Sequence, residues 1–147
     1  MRIREAVAAD VPAIVALLAD DALGQTREAP GDPAYAAAFE AMTRQDGNTY
    51  LVASAADGGL LGCLQLTVIH GLSRRGMARA QIESVRIAAA ARGSGLGRAL
   101  MEAAIERARA AGCGLVQLTT DKTRDDARRF YEALGFEATH EGMKRAL

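Results

Sequence analysis

The sequence predicts an α/β fold built on a single mixed sheet. Three observations carry this. Segments rich in β-branched residues and leucine alternate along the chain with segments of helical periodicity. A strand-like stretch ending near Ala88 passes through a glycine-rich turn straight into a long amphipathic segment. No repeat, low-complexity linker or shift in composition divides the 147 residues, which read as one domain, 1–147, large enough for a substantial core.

Met1 to Ala6 reads as the first strand. Asp10 is a good helix N-cap with Pro12 in the first turn, and Val11, Ile14, Val15, Leu17 and Leu18 make a mostly apolar helix ending near Asp20. Ala22 to Asp32 contains glycine, proline and threonine and reads as a loop. Asp32-Pro33 opens a second helix to about Arg44. Gly47 and Asn48 mark a turn, Tyr50 to Ala55 is a strand, Asp57-Gly58-Gly59 is a hairpin turn, and Leu60 to His70 is the returning strand. A basic loop with Arg74, Arg75 and Gly76 leads to a strand from Arg79 to Ala88. The long helix runs from about Gly95 to Ala111, with Leu96, Ala99, Leu100, Ala103 and Ala108 on its apolar face and Gly112 as its stop. Leu115 to Thr120 is a strand. Thr123 is positioned to cap a helix whose Ala127, Phe130, Tyr131 and Leu134 share a face, and Gly135 ends it. Phe136 to Thr139 and Met143 to Leu147 are expected to form a final hairpin.

Composition narrows the function classes. Half the residues are hydrophobic, which argues against disorder. Lysine plus arginine and aspartate plus glutamate balance at 18 each, so binding nucleic acid chiefly through phosphate attraction is not expected. No apolar run approaches a membrane span, and MRIREAV lacks signal-peptide architecture. Cys63 and Cys113 stand far apart, and with two scattered histidines they make no zinc pattern, so no metal is expected and a reducing cytoplasm is the default setting.

The chemistry concentrates between Val85 and Met101. A glycine turn feeding a helix N-terminus offers unpartnered N–H groups and the positive end of the helix dipole, which suits phosphate. The P-loop pattern is absent, and Gly93-Ser94-Gly95-Leu96-Gly97-Arg98 fails the GxGxxG spacing of dinucleotide sites. Arg92, Gly95 and Gly97 instead fit the pattern Arg/Gln-x-x-Gly-x-Gly/Ala. Downstream, Phe130-Tyr131-Glu132-Ala133-Leu134-Gly135-Phe136 places a tyrosine on a helix that ends in Gly-Phe. In this order and spacing the two stretches resemble the GNAT superfamily of acetyl-CoA-dependent N-acetyltransferases, and the resemblance covers essentially the whole chain.

That resemblance implies the GNAT fold: one central mixed, mostly antiparallel sheet flanked by about four helices. It implies acetyl-CoA as co-substrate, direct transfer to a primary amine of a small molecule or protein, and a homodimer. Arg92, Gly93, Ser94, Gly95, Leu96, Gly97 and Arg98 would hold the pyrophosphate, while the backbone of Val85, Arg86 and Ile87 would pair with the pantetheine arm and polarise the thioester. Tyr131 matches the family's general acid for the CoA sulfur, and a phenol that ionises near pH 10 is protonated at neutral pH. Glu83 is the candidate base. Regular alternation puts it on one face with Val85 and Ile87, where apolar company would raise its affinity for a proton. Arg74, Arg75 and Arg79 are candidates for holding a substrate carboxylate or phosphate. Many relatives carry Asn where this chain has Arg124, so that pantetheine contact is not carried over. The rival reading is a non-catalytic acyl-CoA binding or sensing module on the same fold.

Overall fold

A computed structural model describes all 147 residues. Five strands form one sheet in the order β1-β2-β3-β4-β5: β1 (Arg2–Glu5), β2 (Asn48–Ser54), β3 (Leu60–Ile69), β4 (Arg79–Ile87) and β5 (Leu115–Leu118). The first three pairings are antiparallel and β4–β5 is parallel, so the sheet is mixed and mostly antiparallel. Helices α1 (Val11–Ala19), α2 (Gly24–Arg27) and α3 (Ala34–Thr43) precede β2. The segment α4 (Ser73–Gly76) is a single turn, left-handed at Arg74 and Arg75, and α5 (Leu96–Ala110) and α6 (Asp125–Glu132) flank β5 in sequence.

Period-two burial in the strands divides the side chains between two cores. Leu51, Ala53, Leu64, Leu66, Ala80 and Ile82 face α5, which contributes Leu96, Leu100, Met101, Ala104 and Ala108, and Phe130 and Tyr131 of α6, with Leu134 just after it, pack against the same cluster. On the opposite face Ile14 of α1 meets Tyr50, Val52 and Cys63. Leu100 is completely shielded at the centre of the larger core. Leu100→Ala is therefore expected to cost about 2–5 kcal/mol, read as a lower denaturant midpoint with unchanged slope. An unshifted midpoint would show that α5 does not anchor the sheet.

Several local expectations are corrected. Asp10 holds the N-cap position of α1 with Pro12 in the first turn, but its side chain does not cap the helix. Its carboxylate accepts the Val7 N–H at 2.8 Å and pairs with Arg4 at 2.7 Å, so it ties the β1 exit to a short turn before the helix. Thr123 does not cap α6, because its N–H and hydroxyl both donate to Asp121, at 2.9 and 2.6 Å. The apolar face of α5 is rotated: Met101 and Ala104 are buried, whereas Ala99 and Ala103 are only half-buried. Residues 22–32 contain a helical turn, α2. The final hairpin is absent; residues 136–147 form no strand, and in this segment the one backbone bond inside it runs from Thr139 N–H to the Glu137 carbonyl. Alternating residues alone do not make a strand when no partner edge is in register.

Candidate functional site

The site is built by a break in β4. Along β3–β4, Cys63 faces Arg86 and Gln65 faces Glu83, so β4 carries one extra residue across this interval. Ser84 absorbs it with φ +56°, one of three non-glycine residues in the chain with positive φ. On its other side β4 pairs with β5 only from Arg79 to Ile82. Beyond that point the two parallel strands part, and the β4 edge from Glu83 to Ile87 faces no strand. An extended chain with amide groups can pair there as an added strand would. Val85 and Ile87 turn their side chains toward the α5 core, leaving their main chain to that edge.

The edge leads directly to the glycine turn. Arg92 is extended, Gly93 and Gly95 have φ of +77° and +83°, and Gly95 is the N-cap of α5. A side chain at Gly93 or Gly95 would project into open space. The first α5 amide with a backbone acceptor is that of Ala99, donating to the Gly95 carbonyl at 3.1 Å, and no side chain caps this end. The N–H groups of Leu96, Gly97 and Arg98 therefore point outward at the positive end of a 15-residue helix. Arg92 and Arg98 flank the turn, and both are exposed. Arg92 donates to the Ile87 carbonyl at 3.3 Å, while Ser94 closes the turn by donating to the Ala91 carbonyl at 2.6 Å. Free amides, two guanidinium groups and no Cβ in the way suit a pyrophosphate. Gly97 has a different task from its neighbours: a Cβ there would sit 3.3 Å from the Phe130 ring, so this glycine lets α6 close on α5.

That closure places Tyr131. Its ring meets Phe130 edge-on at 5.2 Å and Phe136 at 6.0 Å. Its hydroxyl has no hydrogen-bond partner within the chain and is not sealed off from solvent. Burial pushes its pKa above the ordinary phenol value, against the opposing pull of Arg124 and Arg86. It therefore remains a proton donor throughout the neutral range.

Glu83 lies elsewhere than alternation implies. Ile82 faces the α5 core and Glu83 faces the other side, opposite Gln65; after the extra residue at Ser84, Val85 and Ile87 return to the α5 side. Glu83 is thus exposed, among polar neighbours, and does not share a face with Val85 and Ile87. Arg79 opens β4 and Arg74 and Arg75 precede it, whereas the phosphate turn follows the far end of the strand, roughly 25 Å away at the usual rise per residue. The structure does not bring these three arginines, candidates for a substrate carboxylate or phosphate, to the glycine turn.

Asp21, which sequence reasoning passed over, and the side chain of Arg86, of which only the backbone was assigned, stand beside the open edge. The Arg86 side chain turns toward α1, where its Nε lies 2.9 Å from Oδ2 of Asp21; the side chains are 16% and 17% exposed. Both atoms are shut off from solvent without a well-aligned hydrogen bond. The loop after α1 holds Asp21 in place, because the Gly24 N–H donates to its Oδ1 and a Cβ at Gly24 would lie 1.9 Å from the Leu18 carbonyl oxygen. Burial disfavours the Asp21 charge. The Gly24 N–H and the attraction of Arg86, Arg124 and Arg27 outweigh it, leaving the carboxyl below its ordinary pKa. Nothing in the local sequence marks Asp21; only the fold shows it meeting an arginine from β4. Neither thiol is a ready nucleophile, since burial pushes Cys63 up to about 12 and also raises Cys113.

Comparison with known proteins agrees with this geometry. The sequence profile of the Acetyltransferase (GNAT) family matches residues 13–136. An L-methionine sulfoximine/L-methionine sulfone acetyltransferase of Pseudomonas paraeruginosa is 37% identical over 92% of this chain and 79% of that protein. The crystal structure of a protein from Bacillus halodurans C-125, named as a transcriptional regulator, is 46% identical with a TM-score of 0.95 over 99% of both chains. An acetyltransferase from Trypanosoma brucei superposes with a TM-score of 0.83 at 28% identity, covering 99% of each chain. A profile match over most of the chain, with relatives of named activity aligned along nearly all of it, establishes that the protein belongs to the GNAT family and is an acetyl-CoA-dependent acetyltransferase.

Proposed function

We propose that the chain transfers the acetyl group of acetyl-CoA directly to a primary amine of a small molecule. The observation that carries this is the continuity of an unpaired β4 edge with the uncapped N-terminus of α5, which together offer main-chain partners for an amide arm and a pyrophosphate. The two Pseudomonas relatives act on L-methionine sulfoximine and L-methionine sulfone, which supports a small amine acceptor.

Bound acetyl-CoA supplies an activated thioester. In this reading Arg92 to Arg98 hold its pyrophosphate, and the backbone of Val85 to Ile87 orients the pantetheine arm and donates a hydrogen bond as charge develops on the carbonyl oxygen. The amine nitrogen forms its bond to the carbonyl carbon and the carbon–sulfur bond breaks, the electron pair leaving with sulfur. Tyr131 gives that sulfur its proton and is reprotonated from solvent. Glu83, exposed on the face opposite the α5 core, takes the surplus amine proton through water.

Thermal unfolding beside acetyl-CoA, CoA, NAD and ATP at equal concentration tests the binding half. A ligand present at 100 times its Kd stabilises the native state by about 2.7 kcal/mol, so the two CoA forms are expected to raise the melting temperature while NAD and ATP do not. Release of free thiol with an amine panel tests the transfer half. No shift with either CoA form would overturn the reading; a shift with no thiol release across the panel would favour a non-catalytic binding module.

A further inference from the structure

We propose that Arg86 and Asp21 are positioning residues for the acceptor. Their buried pair fixes the loop after α1 as a wall beside the open β4 edge, and that wall aims the amine at the carbonyl held there. This rests on the acetyl-transfer reading and adds to it the element that orients the second substrate.

The main chain sets the geometry. The Ala88 N–H donates to the Leu61 carbonyl at 2.8 Å, and Arg86 lies opposite Cys63. Peptide groups alternate along a strand, so those of Arg86 turn toward β3 while Val85 and Ile87 present theirs to the open edge. Val85 and Ile87 send their side chains to the α5 core, and the Arg86 side chain leaves on the other face. From there its guanidinium reaches two ways. Nη1 donates to the Val85 carbonyl at 2.9 Å, on the open edge itself, and Nε stands 2.9 Å from Asp21 Oδ2. One side chain thus joins the edge assigned to the pantetheine arm to the loop between α1 and α2.

That loop has one other charged tie to this region. Asp20 lies 3.9 Å from Nη2 of Arg92, but both side chains are more than half exposed, and such a pair contributes little. Arg92 is also assigned to the pyrophosphate, which would draw it away. No further ion pair links residues 20–28 to β4 or the glycine turn. The Arg86–Asp21 pair, by contrast, is largely closed to water, and losing one partner would leave the other charge buried alone. Asp21 is held from the loop side as well. The Gly24 N–H donates to its Oδ1, and Gly24 packs so closely on the Leu18 carbonyl that it has no room for a side chain. The pair is therefore fixed at both ends.

Its place gives that rigidity a use. On the α5 side of the open edge, Tyr131, Phe130 and the side chains of Val85 and Ile87 are packed into the core. The amine must arrive from the opposite face, where Glu83 is exposed across from Gln65. Asp21 and Arg86 stand on that same face, toward the glycine-turn end of β4. The acceptor is confined between the open side at Glu83 and the fixed loop at Arg86. A misplacement of about 1 Å costs up to about 100-fold in rate, so a wall that drifts lowers turnover.

Asp21→Asn is the first variant to test, because it removes the charge facing Arg86 and keeps Oδ1 for the Gly24 N–H. The full-length protein is assayed by thiol release with L-methionine sulfone and with a panel of amino acids and simple amines. Isothermal titration gives the acetyl-CoA affinity, and thermal unfolding gives the stability. The acceptor kcat/KM is expected to fall about tenfold or more while the acetyl-CoA Kd stays within about threefold. The double variant Asp21→Asn/Arg86→Gln buries no charge, so it remains a test even where the single change unfolds the chain. Its loss is expected to match that of the worse single variant rather than the product of the two, because the residues act through one another. Arg86→Lys, which retains a cation for Asp21, is expected to fall between wild type and Arg86→Gln. A pair that only stabilises the fold would lower the melting temperature and leave kcat/KM, measured below it, within about twofold of wild type; that result would overturn the proposal. Losses that multiply in the double variant, or an acetyl-CoA affinity in Asp21→Asn that falls as far as kcat/KM, would overturn it too. No turnover by the wild type with any amine despite an acetyl-CoA shift would overturn the acetyl-transfer reading itself, and the positioning role with it.

Discussion

Gly95→Trp is expected to raise the Kd for acetyl-CoA by about 100-fold, equivalent to about 2.7 kcal/mol, while the protein still folds. The two halves of this expectation have separate causes. Gly95 has φ +83°, where an L-residue costs about 1–2 kcal/mol. No atom lies within 4 Å of where its Cβ would be, so an indole at this position has room in the free protein. The space it takes is the space in front of the Leu96, Gly97 and Arg98 amides, where the pyrophosphate is assigned. Isothermal titration measures the affinity, and far-UV circular dichroism reports the fold. An unaltered affinity would show that the cradle lies elsewhere. Gly97→Trp is no substitute for this experiment, since its side chain would strike Phe130 and separate α5 from α6.

Tyr131→Phe is expected to lower kcat by about 10²- to 10⁴-fold, the range for a positioned general acid, or about 2.7–5.5 kcal/mol in activation free energy. Acetyl-CoA affinity and melting temperature should change little. The ring's packing against Phe130 and Phe136 survives the substitution, and the hydroxyl that is lost makes no hydrogen bond within the chain. Burial raises the Tyr131 pKa above the phenol value. The acid is therefore protonated on the whole neutral and mildly alkaline side, and wild-type kcat should show no loss attributable to Tyr131 below about pH 10. Unchanged turnover in the variant would remove the acid assignment and leave sulfur to be protonated by water.

The elements legible in the sequence are those governed by local chemistry. The strands β1 to β5, the Asp57-Gly58-Gly59 turn and the helices α5 and α6 depend on neighbours within a few residues, and all appear in the fold, though alternation breaks at Ser84 in β4 and the buried face of α5 is rotated. The glycine turn was legible for the same reason, since positive φ and a free helix N-terminus follow from residue type and order. Capping was less so. Asp10 and Thr123 have several acceptors and donors within reach, and the winners, Arg4 for Asp10 and Asp121 for Thr123, depend on how the chain turns. The last twelve residues have strand-compatible composition, but pairing needs an edge in register, which composition cannot supply.

By itself the amino-acid order determined the α/β class and the glycine turn that opens α5, because each is set by short-range periodicity and by what glycine alone permits. Tertiary structure decided the rest. One extra residue at Ser84 reverses the faces of β4, sending Glu83 away from Val85 and Ile87 and parting β4 from β5. The same break turns Arg86 toward Asp21, a residue 65 positions earlier. Such meetings depend on sheet register and on which edges stay unpaired, and a one-residue slip in register exchanges every side chain between the two faces.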